Sequence, residues 1–453
     1  MSVAINKKEP NQIPWYKIPI HFFAMLGNPL KAINNILHIY GDIIAFKVGG
    51  MRSIIFLNHP DYIKHILKDN LENYSRGRAF EQSATGMVEM LGNGIFVADG
   101  ADWEFQHKIL KTLFTPTAIQ QTLPLLNQEI EFLVKQWQNG LPEKNSVLIE
   151  YEIHLLMLRI MLRSHVCKDY PFDFLKIFET YNKRIEASSW NSTITTETKV
   201  FFTKLVGVKY KYKKHQRQIE ELNRFADALI DELLEHKFEP SGLFKLMLRE
   251  YEAGNITVKD IRDQLFNFLL AGFETTATAI SWLLYNIAAQ PDLQKKLQSE
   301  LAQKDLTDEV TTLQLAIKES LRLYAPVWTS ARVALADDVI GNYIIKAKSI
   351  VVLNSFALHR HKSFWPSGEN FDITNFEKDN FKGKTFAYIP YSQGKRICLG
   401  MALADYQIQT ITTALLKAFD FAITSNKKPE IKASIIIKAN PPLKLKITTA
   451  TAQ

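Results

Sequence analysis

The chain has 453 residues, of which 46% are hydrophobic and 23% are charged, the balance of a soluble globular protein. Its two cysteines, Cys167 and Cys398, exclude a disulfide framework and favour a reducing compartment. The net charge of +8 is spread along the chain, so it indicates neither nucleic acid nor any other single class of partner.

The N-terminal region lacks the features of an export signal or a membrane span. Its apolar stretch, residues 18–26, is about half the length that crosses a bilayer and contains Pro19 and His21. We therefore expect a cytoplasmic protein without a transmembrane anchor. We also expect a monomer that does not bind nucleic acid.

The secondary-structure pattern predicts one domain, residues 1–453, that is mainly α with small β-sheets contributed by both ends. Residues 41–60 contain two β-like runs, which predict a hairpin. Apolar residues recur at helical spacing from about 118 to 325, and the last segment returns to β character. A basic run at 209–217 is either the solvated start of a helix, which we favour, or a binding patch.

Residues 265–284, LFNFLLAGFETTATAISWLL, are apolar on nearly every side and predict a helix buried in the core. Glu274 and Thr275 are polar exceptions, which cost free energy when they are buried. Gly272 makes room for a local distortion in which the threonine hydroxyl binds the carbonyl of Ala271. Two interpretations remain open: a helix that tolerates polar residues, or a groove that supplies protons for dioxygen activation.

The next helix carries Glu319 and Arg322, which are three positions apart and therefore lie on one face. Such a pair is most often a surface ion pair worth less than ~1 kcal/mol. Here leucines and a tyrosine surround it, and Pro326 ends the helix. A buried structural pair is therefore the alternative.

Cys398 lies in YSQGKRICLG, residues 391–400, just before a predicted helix. Gly394 and Gly400 bracket it and allow a tight turn or the close approach of a flat group. Backbone N–H groups at a helix start favour a thiolate. A single thiolate cannot close a zinc site, but it can be the axial ligand of haem iron. Cys167, in a helical apolar segment, is expected to be a small buried side chain.

These elements, in their order and spacing, resemble the haem-thiolate monooxygenases of the cytochrome P450 family, in particular its soluble bacterial type. The cysteine loop is similar to F-x-x-G-x-R-x-C-x-G, and AGFETT (271–276) is similar to the oxygen-activation motif. Glu319 and Arg322 match E-x-x-R. WEFQH (103–107) resembles the W-x-x-x-R/H signature near the haem propionates.

Two positions depart from the family pattern. Tyr391 stands where the cysteine loop usually has phenylalanine, which leaves the redox tuning open. Asn375 stands where the family usually has an arginine that joins the glutamate–arginine pair. That three-residue network is therefore expected to be weaker, or to be completed by another group.

The resemblance implies an α-rich, prism-shaped fold with haem b between the buried helix and the cysteine loop. Cys398 would be the thiolate ligand of the iron, and Glu274 and Thr275 would carry protons to the reacting dioxygen. The other haem contacts implied are Trp103, His107, Ala271, Arg332 and Arg396. The residues with an implied structural role are Glu319, Arg322 and Asn375.

The chain shows no fused reductase, so the resemblance implies electrons from an external ferredoxin or flavodoxin and its NAD(P)H-dependent reductase. Lysines near the cysteine loop predict a basic surface for such an acidic partner. Scattered solubilising lysines are the alternative. The lysines concerned are Lys108, Lys111, Lys382, Lys384 and Lys395.

The resemblance also implies a small-molecule pocket with an apolar, aromatic lining. The residues expected to line it are Phe80, Met87, Trp190, Phe268, Val327, Trp328 and Ile435. The polar stretch 188–199 is either a solvated loop or a lid over a polar substrate. The substrate is thus either an apolar compound that is hydroxylated, such as a fatty acid or terpenoid, or a polar methoxylated compound that is demethylated, such as a methylated sugar.

Two other functions remain as alternatives to a monooxygenase. One is a haem-thiolate isomerase or dehydratase, and the other is a non-catalytic haem-binding sensor. Both fit less well, because neither needs the acid–threonine pair that this sequence retains.

Overall fold

The computed structural model describes residues 8–46, 53–77, 91–140, 145–187, 213–305 and 311–450. Most of these residues lie in helices. The longer helices are Ile18–Gly27, Pro29–Tyr40, Gly100–Leu110, Pro116–Gly140, Ile149–His165, Phe174–Ala187, Lys213–Leu234, Gly242–Glu252, Val258–Leu269, Thr275–Ala288, Pro291–Leu301, Thr311–Leu323 and Met401–Ala418. Short helices occupy Pro60–Lys64, Ser355–Leu358 and Lys378–Phe381.

One helix, Val258–Ala288, runs through the centre of the protein and is called the core helix below. It begins at a capping box, in which the side chains of Thr257 and Asp260 each accept a hydrogen bond from the other's backbone N–H. It packs against several neighbours, including the last helix, Met401–Ala418. It is long and apolar enough to cross a membrane by length and composition alone. However, 83% of its most apolar window is buried inside the protein, as expected for a core helix.

Among the described residues, the largest sheet has six strands drawn from both halves of the chain. In order across the sheet, they are Asn11–Gln12, Ile43–Phe46, Ile54–Leu57, Ile350–Leu353, Ser330–Ala334 and Tyr74–Ser75. The second and third strands pair antiparallel, with Ile44 opposite Phe56, which confirms the hairpin predicted over 41–60.

The end of the chain is β-structured, as predicted. Phe419–Ile423 pairs antiparallel with Leu445–Thr449, and Ser146–Val147 adds a third strand. A further two-stranded hairpin joins Asp338–Ile340 to Tyr343–Ile345. The helical body with small sheets from both ends is the α-rich fold that the sequence predicted.

Between the last two long strands lies a two-stranded hairpin, called the late hairpin below. Its strands, Glu430–Lys432 and Lys438–Asn440, pair antiparallel with Lys432 opposite Lys438. The N–H of Ile437 donates to the carbonyl of Pro326 at 3.0 Å. The hairpin is therefore fixed to the segment that follows the helix Thr311–Leu323.

The first helix, Ile18–Gly27, and the turn before it leave large apolar side chains in solvent. Trp15, Ile20 and Phe23 are 81%, 66% and 69% exposed, and Tyr16 is also largely exposed. Neighbouring exposed apolar side chains of this size commonly mark an interaction surface.

Candidate active site

Gly394 holds the cysteine loop close to the body of the protein. Its φ is +76°, and a Cβ atom placed on it would lie 1.9 Å from the carbonyl oxygen of Leu67, so only glycine fits there. The loop then closes on itself, because the N–H of Cys398 donates to the carbonyl of Tyr391 at 2.9 Å. The helix Met401–Ala418 follows directly. The thiol thus lies just before a helix N-terminus, as predicted.

The thiol of Cys398 is exposed to an open space, whereas Cys167 is buried, as expected. In the described parts of the chain, no group of three or more His, Cys, Asp or Glu side chains could hold a metal ion. A metal bound at Cys398 must therefore bring its other donors with it, as haem iron does.

Protein atoms around Cys398 oppose its ionisation. Desolvation raises the pKa of the thiol, and a hydrogen bond from the N–H of Gly400 only partly offsets this effect. The helix start therefore does not make the thiol a thiolate by itself, contrary to the expectation from sequence. A metal ion deprotonates a coordinating thiol outright, so coordination to iron would ionise Cys398.

Tyr391, the residue that departs from the cysteine-loop motif, uses its hydroxyl to bind the last helix. The hydroxyl donates to Oδ1 of Asp405 at 2.5 Å. Burial and the negative charge of Asp405 together raise the pKa of Tyr391, so the phenol stays neutral. The Tyr391 hydroxyl thus has a partner, Asp405, which would lack this donor if residue 391 were phenylalanine.

The core helix widens at its acid–threonine stretch, where Leu270–Glu274 form a π-helical turn. The hydroxyl of Thr275 donates to the carbonyl of Ala271 at 2.5 Å, which is the bond predicted for a local distortion. Between residues 263 and 288, only Ala271, Gly272 and Thr275 are not fully buried. These three positions therefore face an open space inside the protein, where a π-helical turn often marks a functional site.

Phe114 joins the cysteine loop to the core helix. Its ring lies against Gly400, where an added Cβ atom would come within 3.4 Å, and it stacks on Phe268 with ring centroids 6.1 Å apart. The exposed thiol and the exposed turn of the core helix thus belong to two elements that meet at this ring. We infer that both open onto one cleft, where haem b was expected.

Three arginines meet beside the cysteine loop. Burial, together with the positive charges of Arg76 and Arg396, lowers the pKa of Arg332 to about 9. Asp99 opposes this effect; it pairs with Arg396 and accepts from the N–H of Gly77 at 2.7 Å. Among the described residues of this cluster, guanidiniums outnumber carboxylates, and such a group favours an anionic ligand. The two propionates of haem b satisfy that requirement, so the residues present fit the cofactor.

The helix Gly100–Leu110 adds Trp103 and His107 to this cluster. Their rings lie 4.6 Å apart, and the guanidinium of Arg396 lies over Trp103, 4.4 Å from the ring centroid. Burial and the nearby positive charge of Lys111 lower the pKa of His107, so the imidazole is neutral at pH 7 and can donate one hydrogen bond. The four predicted propionate contacts are thus close neighbours.

Sequence reasoning missed Arg76 and Asp99. Arg76 lies in an irregular segment that matches none of the motifs. Asp99 directly precedes the helix Gly100–Leu110 and has the residue type of an N-cap, but its side chain makes no capping bond and pairs with Arg396 instead. Only the charge balance of the folded cluster identifies these two residues.

Glu319 and Arg322 form a fully buried pair, which decides between the two interpretations of this motif. Nε and a terminal nitrogen of Arg322 donate to the two carboxylate oxygens at 2.8 and 2.7 Å. Its remaining donors reach the backbone carbonyls of His359, Gly368 and Asn370. The pair therefore joins its helix to the segment that leads to the cysteine loop.

Asn375 takes the place of the arginine that usually completes this network. Its amide nitrogen donates to Oε1 of Glu319 at 3.1 Å, and the backbone N–H of Asp372 donates to the same oxygen at 2.9 Å. Burial raises the pKa of Glu319, and the bonds from Arg322 oppose that rise. Neutral amide donors thus complete the network in place of a second cation.

The residues expected to line the substrate pocket fall into three groups. Phe80, Met87 and Trp190 lie outside the described residues. Phe268 and Trp328 are buried, and Phe268 packs against Phe114 and His165. Val327 and Ile435 are exposed and partly exposed, respectively.

Val327 and Ile435 are brought to the same place by backbone contacts. The indole N–H of Trp328 donates to the carbonyl of Ser434 at 2.8 Å. Together with the bond from Ile437 to Pro326, this contact holds the tip of the late hairpin against the segment that contains Val327. The two apolar side chains therefore lie on one rim, called the apolar rim below.

Glu274 ties the late hairpin to the core helix. Its carboxylate is almost completely buried, and Nζ of Lys438 lies 3.7 Å from its Oε1. Sequence reasoning did not single out Lys438, because a lysine in a β-strand carries no motif. The predicted proton-carrying acid and the apolar rim are thus connected through one short hairpin.

The cytochrome P450 family model matches residues 9–447 of the chain. Among curated proteins, cytochrome P450 4F4 of Rattus norvegicus is 22% identical, over 98% of this chain and 90% of its own length. Cytochrome P450 4F3 of Homo sapiens is 24% identical, over 90% and 83% of the two chains. Leukotriene-B4 omega-hydroxylase 3 of Mus musculus is 23% identical, over 98% and 90%.

These relatives correct the prediction of where in the cell the protein lies. They are mammalian cytochromes P450 of the 4F series, and they match nearly the whole chain. The prediction of a cytoplasmic location, which rested on the cysteine content and on the lack of an export signal or membrane span, is therefore wrong. The physical reason for the error is that residues 18–26 were tested only for spanning a bilayer, and not for lying at its surface.

The match extends over the cysteine loop, the core helix and the buried glutamate–arginine pair. It accounts for an accessible cysteine beside several guanidiniums, a combination that fits the binding of haem b through a cysteine thiolate in this family. It also favours a monooxygenase over the isomerase and sensor alternatives, since the relatives include a hydroxylase. The chain is a haem-thiolate monooxygenase and belongs to the cytochrome P450 family.

Proposed function

We propose that the enzyme hydroxylates a C–H bond in a substrate with a long apolar portion, such as a fatty acid. The observation that carries this proposal is the apolar rim of Val327 and Ile435, whose hairpin reaches Glu274 of the core helix through Lys438. A hydroxylase of a lipid mediator among the relatives supports the same substrate class. Burial of each methylene against such a rim contributes about 0.8 kcal/mol to binding.

The residues of the chain divide the work as follows. Haem b, when bound, supplies the iron at which dioxygen is reduced and a C–H bond is oxidised. Cys398 ligates the iron and donates electron density to it. Arg332 and Arg396 hold the propionates, while Glu274 and Thr275 carry protons from solvent into the cleft. The apolar rim excludes water and orients the substrate.

We also propose that the two electrons arrive from a separate acidic protein, of the ferredoxin or flavodoxin type, with its NAD(P)H-dependent reductase. Lys108, Lys111 and Lys382 are exposed and support such a surface. Lys395 adds less to it, because its ammonium already pairs with Glu104 at 2.9 Å. Lys384 adds less as well, because it lies over an aromatic ring and is only partly exposed.

A spectral titration tests the substrate class. Saturated fatty acids of increasing chain length should displace water from the ferric haem, with affinity that rises along the series. Polar methyl glycosides serve as the control ligands, and we expect that they cause no shift in the haem spectrum. The enzyme is then supplied with electrons and dioxygen in the presence of the fatty acid that binds most tightly, and the product is identified.

The titration also separates the alternative substrate class. Oxidative O-demethylation rests on the polar stretch 188–199, which lies outside the described residues. A shift with methyl glycosides, together with formaldehyde release, would replace the fatty-acid proposal by demethylation. Val327→Ser should weaken fatty-acid binding and leave haem loading unchanged; unaltered affinity in this variant would remove the apolar rim from the site.

A further inference from the structure

Glu274 lies beside a cation, Lys438, that is partly exposed to solvent. The carboxylate of Glu274 is 1% exposed, whereas the Lys438 side chain, 3.7 Å away, is 27% exposed. Glu274 is the last residue of the π-helical turn, and the next residue, Thr275, is partly exposed on the cleft side. The carboxylate thus belongs to the helical turn that borders the cleft, and it lies beside a side chain that reaches water.

Within the described part of the chain, Glu150 and His154 are titratable groups that also lie in the field of Lys438. Burial raises the pKa of Glu150, and the negative charge of Glu274 adds to that effect, while the charge of Lys438 opposes it. Burial lowers the pKa of His154 to about 4, with a contribution from Lys438, so this imidazole is neutral at pH 7. Lys438 thus acts on two carboxylates, Glu150 and Glu274, and on one neutral histidine.

Lys438 also belongs to the late hairpin, which contributes Ile435 to the apolar rim. It begins the second strand of the late hairpin, three positions after Ile435. The hairpin is held to the segment of Val327 by backbone hydrogen bonds. Movement of the hairpin by a bound substrate would therefore change the distance between the ammonium of Lys438 and the carboxylate of Glu274.

We propose that Lys438 is a positioning residue for proton supply: it keeps Glu274 ionised and fixes its carboxylate between the solvent-facing hairpin and the cleft. The Glu274 carboxylate takes one proton that bulk solvent delivers through water at Lys438, with no net change in that water, and becomes a carboxylic acid; it returns to carboxylate when it passes that proton to the Thr275 side. The charge of the pair is restored after each transfer. This inference rests on the proposed proton-carrying role of Glu274 and Thr275.

A purely structural ion pair is the competing explanation, and it makes a different forecast. Loss of a structural pair would loosen the hairpin, and substrate binding would weaken. Loss of a positioning cation would instead lower the number of products formed per electron, while the substrate dissociation constant stays the same.

The variants are Lys438→Met, which removes the charge, and Lys438→Arg, which keeps it. Lys432→Met is the matched control, because Lys432 lies opposite Lys438 in the same hairpin and is exposed. Glu274→Gln and the double variant Lys438→Met/Glu274→Gln complete a cycle. All five are studied as full-length, haem-loaded protein.

Infrared spectroscopy of the resting ferric enzyme gives a readout that needs neither turnover nor substrate. A buried carboxylate that loses its cation protonates more readily. Lys438→Met should therefore show a protonated-carboxyl band near neutral pH that wild type, Lys438→Arg and Lys432→Met lack. The part of the band that belongs to Glu274 should vanish in the double variant, whereas any part from Glu150, on which Lys438 also acts, should remain. A Lys438→Met spectrum identical to wild type across the pH range would overturn the proposal.

Coupling measurements test the same proposal during turnover. Product per NAD(P)H should fall about tenfold in Lys438→Met, less than the ~10²-fold or more expected for loss of a general acid. Lys438→Arg should recover most of it, and the double variant should match Glu274→Gln alone. Additive losses in the double variant would show that Lys438 acts independently of Glu274. If the infrared result holds but fatty acids give no product, the substrate proposal fails and the role of Lys438 stands.

Discussion

Thr275 and Thr276 are adjacent residues with the same side chain, but their surroundings differ. Thr275 is partly exposed on the cleft side of the core helix, and its hydroxyl donates to Ala271. Thr276 is buried, because a step of one residue turns the helix by about 100°. The two threonines therefore provide a matched pair for separating a proton-carrying hydroxyl from one that only satisfies local packing.

We expect Thr275→Ala to bind haem and substrate but to release reduced dioxygen as hydrogen peroxide. Loss of general-acid assistance commonly costs ~10²–10⁴-fold, so the fall in product per NAD(P)H should be plain. Thr276→Ala should retain coupling, and Thr275→Ser should restore it because the hydroxyl returns. Product and peroxide are assayed together for all three. Equal coupling in both alanine variants and wild type would reduce Thr275 to a helix threonine bonded to its own backbone.

Individual residues were predictable from sequence where a motif constrained them. Cys398 and the threonine bond to Ala271 were found because spacing and helix geometry dictate them. Arg76 and Asp99 were not found, since their roles depend on a charge balance among segments far apart in the chain. The raised pKa of the Cys398 thiol was also missed, because desolvation is a property of the folded surroundings.

At the scale of elements, the pair Glu319–Arg322 connects the helix Thr311–Leu323 to the segment 359–375. Both side chains are completely buried, and Arg322 bonds to carbonyls from that segment. Burial of two charges costs free energy that their hydrogen bonds must offset. The pair therefore specifies how the two elements meet, and it does not touch the cleft residues described above.

Arg322→Ala should abolish or greatly reduce haem-loaded protein. It leaves the Glu319 carboxylate buried without its cation, which typically costs ~3–5 kcal/mol of folding free energy. Arg224→Ala, at an exposed helical position, is the control and should behave like wild type. Yield of the carbon monoxide complex and thermal unfolding are measured for both. An Arg322→Ala enzyme that folds, loads haem fully and is merely slow would contradict the structural role.

The elements themselves were largely predictable, because the core helix and the first hairpin have strong apolar periodicity. The π-helical turn was foreseen only as a distortion, and its extent over Leu270–Glu274 depends on packing. The link from the late hairpin to Glu274 was not foreseen. Lys438 and Glu274 are 164 positions apart, and a contact at that separation leaves no local signal in either segment.

At the scale of the whole molecule, the location of the protein in the cell was predicted wrongly from the sequence. Residues 18–26 are too short to span a bilayer, and that test was applied correctly. A helix that lies in the plane of a membrane needs only one apolar side, which a spanning criterion does not detect. The exposed side chains around Trp15 and Phe23 became visible only in the fold.

We expect the full-length enzyme to bind lipid vesicles through this N-terminal surface. Trp15 and Tyr16 have the residue types that favour the membrane–water interface, and Ile20 and Phe23 would enter the acyl region. Lys17 lies beside them, and the chain carries a net charge of +8, so anionic vesicles should bind more tightly than zwitterionic ones.

Co-sedimentation with phosphatidylcholine vesicles, with and without phosphatidylserine, measures this binding. Transfer of one large apolar side chain contributes roughly 1.5 kcal/mol or more, which is about tenfold in partitioning. Trp15→Ser and Phe23→Ser should therefore each weaken binding about tenfold, without changing the haem spectrum. Phe132→Ser is the matched control, because Phe132 is also exposed but lies in the helix Pro116–Gly140. Equal binding by all three variants would mean that another surface meets the lipid, and absence of binding by wild type would mean that the exposed aromatic side chains serve a protein partner instead.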